Sequence, residues 1–208
     1  MRALEFLKIL AKNHSFIGGV DEAGRGPLAG PVMAAIVIME QKDLKLLSKT
    51  EIKDSKKLTP KKREKLFTLI TRNFPFGVGL ASPQTIDRLN ILGATFLAMK
   101  RSISDLKIKH KLSPQIIIID GNQIIPNLSI AQKNLPRADE LIPLVSAASI
   151  IAKVSRDRLI TQMAELYPQY GFELHKGYGT KKHLENLKKF GPCPIHRKSF
   201  GPVKKMLI

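Results

Sequence analysis

Tryptophan is absent and cysteine occurs once, at Cys193, so internal disulfides and cysteine-based zinc clusters are excluded. A lone thiol suits a reducing compartment and points to the cytoplasm. No apolar run approaches the roughly 20 residues that a membrane-spanning helix needs. The opening segment, MRALEFLKILAK, is interrupted by Glu5 and Lys8 and precedes no small-residue cleavage site, which argues against a secretory signal and for a short amphipathic helix. Internal repeats, low-complexity tracts and long linkers are also missing. Acids are scarce: 17 stand against 35 lysines and arginines, for a formal net charge of +18. Such an excess favours polyanionic partners, nucleic acid first and an anionic membrane surface second.

What is present is enough for one sizeable domain with its own core, at 208 residues. Strand-like apolar runs cover Phe16–Val20, Val32–Met39, Phe76–Ala81 and Ile116–Ile119, with a weaker one at Ile130–Leu135. The first two flank a Gly/Pro-rich connection and can pair as a hairpin. Thr59-Pro60 and Ser82-Pro83 each read as a helix cap followed by proline at the first helical position. The second of these helices carries Ile86, Leu89, Gly93 and Phe96 at core spacing. A further helix runs from Val145 to about Leu166, and its opening SAAS lets a backbone sit close to a sheet. Thr180 and Gly191 bracket a short last helix, KKHLENLKKF. Strands first, then alternation with helices, predict a mixed α/β sheet with helices on both faces. Residues 1–169 read as the core and 170–208 as an appended helical lobe.

Two runs end on acids: FIGGV on Asp21-Glu22, and IIII on Asp120. Carboxylates there are costly unless solvated, paired or metal-bound. If the two strands are parallel neighbours, Asp21 and Asp120 reach the sheet edge where ligands bind in open α/β sheets, and Asp139 can join them from ahead of the SAAS helix. Hard oxygen donors with no adjacent histidine or cysteine point to magnesium or manganese. The plainer reading of Asp120-Gly121-Asn122 is a turn. Adjacent strand residues face opposite ways, so Asp21 and Glu22 meet one ion only if the strand ends or bulges there, and Ala-Gly-Arg-Gly predicts an end. Gly24-Arg25-Gly26 fits neither a P-loop nor G-x-G-x-x-G. Its glycines allow close backbone approach and Arg25 offers a phosphate or sugar contact.

In the order DEAGRG, DSKKLT, IDGN, SAASIIAKVSRDR and HKGYGTKKH, the chain resembles bacterial ribonuclease HII from about Phe16 to Phe200. The resemblance implies a ribonuclease H-like fold, a central mixed five-stranded sheet flanked by helices. It also implies endonucleolytic cutting of RNA in RNA–DNA hybrids, and cutting 5′ of single ribonucleotides in duplex DNA, with 3′-hydroxyl and 5′-phosphate products. The family's catalytic and metal-binding acids fall on Asp21, Glu22, Asp120 and Asp139, which would hold two magnesium or manganese ions. Its sensors of the ribose 2′-hydroxyl fall on Gly24, Arg25, Gly26 and Tyr178, with Gly24 expected to leave room for the sugar. One departure stands out: the fourth acid usually follows glycine, whereas here it follows Arg137-Ala138.

Lys56 in DSKKLTPKKRE, and Lys176, Lys181 and Lys182 around Tyr178, are the candidate contacts to the nucleic-acid backbone. His175, His183 and His196 are not spaced as a metal site. Phe190, Phe200 and Met206 read as packing residues. The chain is expected to act as a monomer, without a membrane. Competing readings are a junction-resolving or integrase-type nuclease, which needs the acids but neither GRG nor the tyrosine, and a catalytically dead binding module, which would lack one of the acids.

Overall fold

The computed structural model describes residues 3–49, 52 and 58–207. Its sheet has five strands, β1 (Ile17–Ala23), β2 (Val32–Met39), β3 (Phe76–Ala81), β4 (Ile116–Asp120) and β5 (Ala131–Leu135), in the order β3-β2-β1-β4-β5. β1, β2 and β3 form an antiparallel meander, while β4 and β5 run parallel to β1. The helices are α1 (Ala3–Asn13), α2 (Leu44–Lys49), α3 (Pro60–Asn73), α4 (Pro83–His110), α5 (Ala138–Leu141), α6 (Pro143–Leu166), α7 (Phe172–His175), α8 (Lys181–Phe190) and α9 (Gly201–Lys204).

Strands β1, β2 and β4 are buried on both faces. Ile17, Ala35, Val37 and Ile118 pack with α6, α3 and α1 on one side, and Val20, Ala34, Ile36 and Ile119 pack with α4 on the other. The small start of α6 is what brings its backbone onto β1. A Cβ on Gly19 would stand 2.6 Å from the carbonyl of Leu144, closer than side chains tolerate. Helix α6 is thereby held at a fixed height over the strand that ends in the acids.

Caps act where the sequence predicts them: Thr59, Ser82 and Thr180 each accept the backbone N–H three residues on. Helix α4 is broken at Asn90 (φ 59°, ψ 173°), whose Oδ1 accepts from the N–H groups of Leu92 and Gly93 and starts the helix afresh. Of the predicted apolar stripe, Ile86 is buried and Phe96 packs on the core across the break, while Leu89 is 38% exposed. Phe200 packs on the core, but Phe190 and Met206 are exposed, contrary to their reading as packing residues. Residues 170–207 pack on α6 and on the segment after β1: Tyr170 and Phe172 join Ala29 and Ile160, and Leu187 and Val203 join Leu28. No described helix is long and apolar enough to cross a membrane.

Candidate active site

Val20 of β1 pairs with Ile119 of parallel β4, and the next residue on each strand is an aspartate, Asp21 and Asp120. Asp139 enters from α5, just ahead of α6. Asp120 Oδ1 accepts the N–H of Ala138 at 2.7 Å, and the Ser146 hydroxyl donates to the Asp139 carbonyl, so α5 is tied to both the strand and the helix. The site is therefore assembled by the pairing of β1 with β4 and the seating of α6. One carboxylate oxygen from each of Asp21, Asp120 and Asp139 lies within 4.8 Å of the other two. Asp21 and Asp139 are buried, at 4% and 1% exposure. Burial, then the negative charge of Glu22, pushes the Asp21 carboxyl well above its usual range; a hydrogen bond from Ser149 opposes this and the charge of Asp120 adds to it.

This donor set fits a hard divalent cation. All three donors are carboxylate oxygens, and oxygens on opposite sides of one magnesium or manganese ion stand about 4 Å apart. A cation would also relieve the repulsion and desolvation that raise Asp21.

Glu22 departs from expectation. β1 does not end at the acids; it continues paired through Ala23, with Asp21 opposite Ala35 and Glu22 opposite Ala34. In an unbroken strand the two side chains point to opposite faces. Glu22 lines a cavity of about 300 Å³ with Arg25, Thr95, Phe96, Asp120 and Gly121, and pairs with Arg25 at 3.4 Å. Asp120 lines this cavity and also belongs to the carboxylate cluster.

The strand stops at Gly24, where φ is +92°. A Cβ at Gly24 would stand 2.0 Å from Arg156 Nε, so this glycine makes room for a buried arginine and not for a sugar. At Gly26 a Cβ would face the Tyr178 ring, 3.7 Å from its Cε1. Tyr178 is brought there by the bond from Leu28 N–H to the Gly177 carbonyl, 2.8 Å, and the residue stays 44% exposed. The structure thus joins Gly24-Arg25-Gly26 to Tyr178 beside the acids.

Of the four lysines singled out, Lys56 lies outside the described residues. Lys181 and Lys182 are exposed on the first turn of α8, the end of a helix that favours anions over cations. Lys176 Nζ donates to Thr161 Oγ1 at 2.8 Å and to the Glu173 carbonyl at 2.7 Å, both at the surface.

Spacing gave no hint of two networks. His183 Nε2 and His196 Nε2 are 3.1 Å apart, His183 Nδ1 lies 2.8 Å from the Tyr178 carbonyl, and His196 Nδ1 accepts from Cys193 N–H at 2.9 Å. Because that nitrogen accepts and the carbonyl can only accept, the chain of bonds runs Cys193 N–H to His196 to His183 to Tyr178, with both rings neutral. The ring nitrogens are thus already committed, which leaves no metal site there. The second network is a pair of buried arginines, Arg156 and Arg197, bonded among the described residues to backbone carbonyls.

The sheet order and the acids at the end of its two central parallel strands define a ribonuclease H-like fold with an acidic site. The family model described as Ribonuclease HII matches residues 18–203. Ribonuclease HII of Caldicellulosiruptor saccharolyticus is 51% identical over 193 residues, which cover 92% of this chain and 90% of that one. The ribonuclease H2 structure from Pyrococcus horikoshii OT3 superposes with a TM-score of 0.74 at 31% identity, covering 92% of this chain and 96% of that one. The structure of Bst-RNase HIII in complex with Mn2+ shares the fold alone, with a TM-score of 0.75 at 19% identity over 95% of this chain and 71% of that one. The chain belongs to the ribonuclease HII family, and it is a hydrolase of the type 2 ribonuclease H class.

Proposed function

We propose that the protein cuts RNA in RNA–DNA hybrids and, in duplex DNA carrying a single ribonucleotide, cuts on the 5′ side of that ribonucleotide. One observation carries the reading: the clustered acids, the Gly24-Arg25-Gly26 turn that follows them and Tyr178 against that turn lie together in a strongly basic protein. Asp21, Asp120 and Asp139 would hold a divalent cation, magnesium or manganese, with Glu22 acting from the adjoining cavity when a second ion is bound. Such cations supply a water of lowered pKa and positive charge for an in-line displacement that leaves 3′-hydroxyl and 5′-phosphate ends.

The chain's own residues bind and orient. N–H groups of the glycine turn reach the 2′-hydroxyl because no side chain intervenes at Gly26. Tyr178 lies against a sugar, and Arg25 is free to exchange Glu22 for a phosphate oxygen. Lys181 and Lys182, at the N-terminus of α8, bind the phosphate backbone, where the helix dipole adds to their charge. Lys176 acts there only if it leaves its bonds to Thr161 and Glu173. Residues 170–208 serve as a substrate-contacting lobe on the 1–169 core, and the protein works as a monomer in the cytoplasm.

The test is a labelled duplex with one ribonucleotide, incubated with and without magnesium or manganese, beside its all-deoxy counterpart. A site built to hydrogen-bond a hydroxyl rejects the analogue lacking it by roughly four orders of magnitude or more. The expected result is metal-dependent cutting 5′ of the ribonucleotide and none of the all-deoxy duplex. Equal cutting of both would overturn ribose recognition in favour of a general nuclease.

A further inference from the structure

Arg156 and Arg197 are fully buried, at 0% exposure each. Their six guanidinium bonds all end on backbone carbonyls. Arg156 donates to Pro31 (3.0 Å), Lys176 (3.0 Å) and Ala29 (3.1 Å). Arg197 donates to Gly30 (2.9 Å), Arg25 (2.9 Å) and Gly24 (2.5 Å). Two buried cations side by side, with no carboxylate among the described residues bonded to either, are an expensive way to fill a core, since apolar residues of the same volume usually stabilise more. Burial and the neighbouring Arg156 charge push the Arg197 guanidinium down to about 9, which reflects that expense.

What the pair achieves is orientation. In a planar trans peptide, the N–H of one residue points opposite to the carbonyl of the residue before it. With the Gly24 and Arg25 carbonyls turned inward to Arg197, the N–H groups of Arg25 and Gly26 must point outward, on the side of the turn away from the arginine. Arg156 meanwhile fills the space that a Gly24 side chain would need, and grips the Lys176 carbonyl two residues before Tyr178. Both halves of the ribose-facing surface, one after β1 and one in the C-terminal lobe, therefore hang on the same two side chains.

We infer that Arg197, braced by Arg156, is a positioning residue that presents the Arg25 and Gly26 N–H groups to the ribose, so that docking of the C-terminal lobe completes the sugar-recognition surface. The inference rests on the ribose-reading role proposed above for the glycine turn. Neither arginine touches substrate; each acts through the backbone it holds. Lysine in either place keeps a cation but cannot span three carbonyls with a planar fork.

The experiment compares Arg197→Lys, Arg156→Lys and wild type by melting, by affinity for an all-deoxy duplex and by single-turnover cutting of the one-ribonucleotide duplex with magnesium. A variant that folds should bind the all-deoxy duplex with wild-type affinity, because phosphate contacts set it. Its cleavage rate should fall about a hundredfold, as expected for a small misplacement of substrate-orienting groups. Arg197→Ala should regain activity with added guanidinium and not with methylammonium, a pattern that general destabilisation would not produce. If wild type cuts the all-deoxy duplex equally well, the ribose-reading role itself fails. If wild type discriminates and the folded lysine variants cut at its rate, only the arginine role fails. Failure of both lysine variants to fold would make the pair a folding element and overturn the positioning role.

Discussion

Asp21 carries the conflict between stability and function at the scale of one residue. Its carboxylate is buried beside Glu22 and Asp120, and its pKa is raised mainly by that burial. Above its usual titration range, the folded protein without a cation either holds a proton that the unfolded chain has released or keeps a desolvated charge. Either state costs stability, and the cost grows as pH rises through the raised pKa. Asparagine removes the charge at nearly the same volume. In metal-free buffer near neutral pH, Asp21→Asn should therefore melt several degrees higher than wild type, about 2–4 °C for each kcal/mol regained. Added magnesium or manganese should raise the wild-type midpoint more than the variant's, because ligand binding to the fold is linked to its stability. The variant should cut no substrate. A lower melting point for Asp21→Asn in metal-free buffer would show that the carboxylate is a structural partner and not a strained ligand.

At the scale of elements, the acids owe their geometry to one close approach, that of α6 over Gly19. Alanine there would place its Cβ 2.6 Å from the Leu144 carbonyl. The helix must then move away, carrying α5 and Asp139 with it. Gly19→Ala should cost about 1–3 kcal/mol, the usual range for overpacking, and should weaken the metal-induced rise in melting temperature. Gly201→Ala, whose Cβ would meet nothing within 4 Å, is the matched control and should be near neutral. An unchanged melting curve for Gly19→Ala would mean that α6 has slack over β1. Much of this level was legible beforehand. The bounds of β2, β3 and α8 match the sequence reading because caps, prolines and apolar runs are local signals. The kink at Asn90 was not legible, since the apolar spacing continues across it while one side chain recaps the helix. Nor was the face on which Glu22 lies, because that depends on β1 staying paired with β2 beyond Asp21. The arginine bonds from Arg156 to Ala29 and Pro31 span 127 and 125 residues. No periodic pattern encodes such a contact; only the fold brings the partners together.

Across the whole molecule, the histidine network couples global stability to pH and to the tyrosine face. His183 is fully buried and His196 is 2% exposed, and His175 stacks on His183 with centroids 4.4 Å apart. Burial, then the neighbouring His183, lowers His196 to about 4. His183 is lowered for the same first reason, with His175 adding and the Tyr178 carbonyl opposing. In the unfolded chain both rings protonate near 6.5, their ordinary value. Between that pH and about 4, the unfolded chain holds protons that the native protein does not, so stability falls as pH drops through this window and levels off for His196 below it. Asp21 has the opposite sign, since its raised pKa adds stability at low pH that is lost as pH rises. An Asp21→Asn background removes that opposing contribution. The urea midpoint of Asp21→Asn should then fall between about pH 7 and about pH 5, and the fall should be visibly smaller once His196→Gln is added. Because His183 holds the Tyr178 carbonyl, the same acidification should loosen the α8 end of the lobe first, seen as faster amide exchange over residues 178–187 than over α4. Equal pH slopes with and without His196 would show that this ring is not the one kept neutral by the fold.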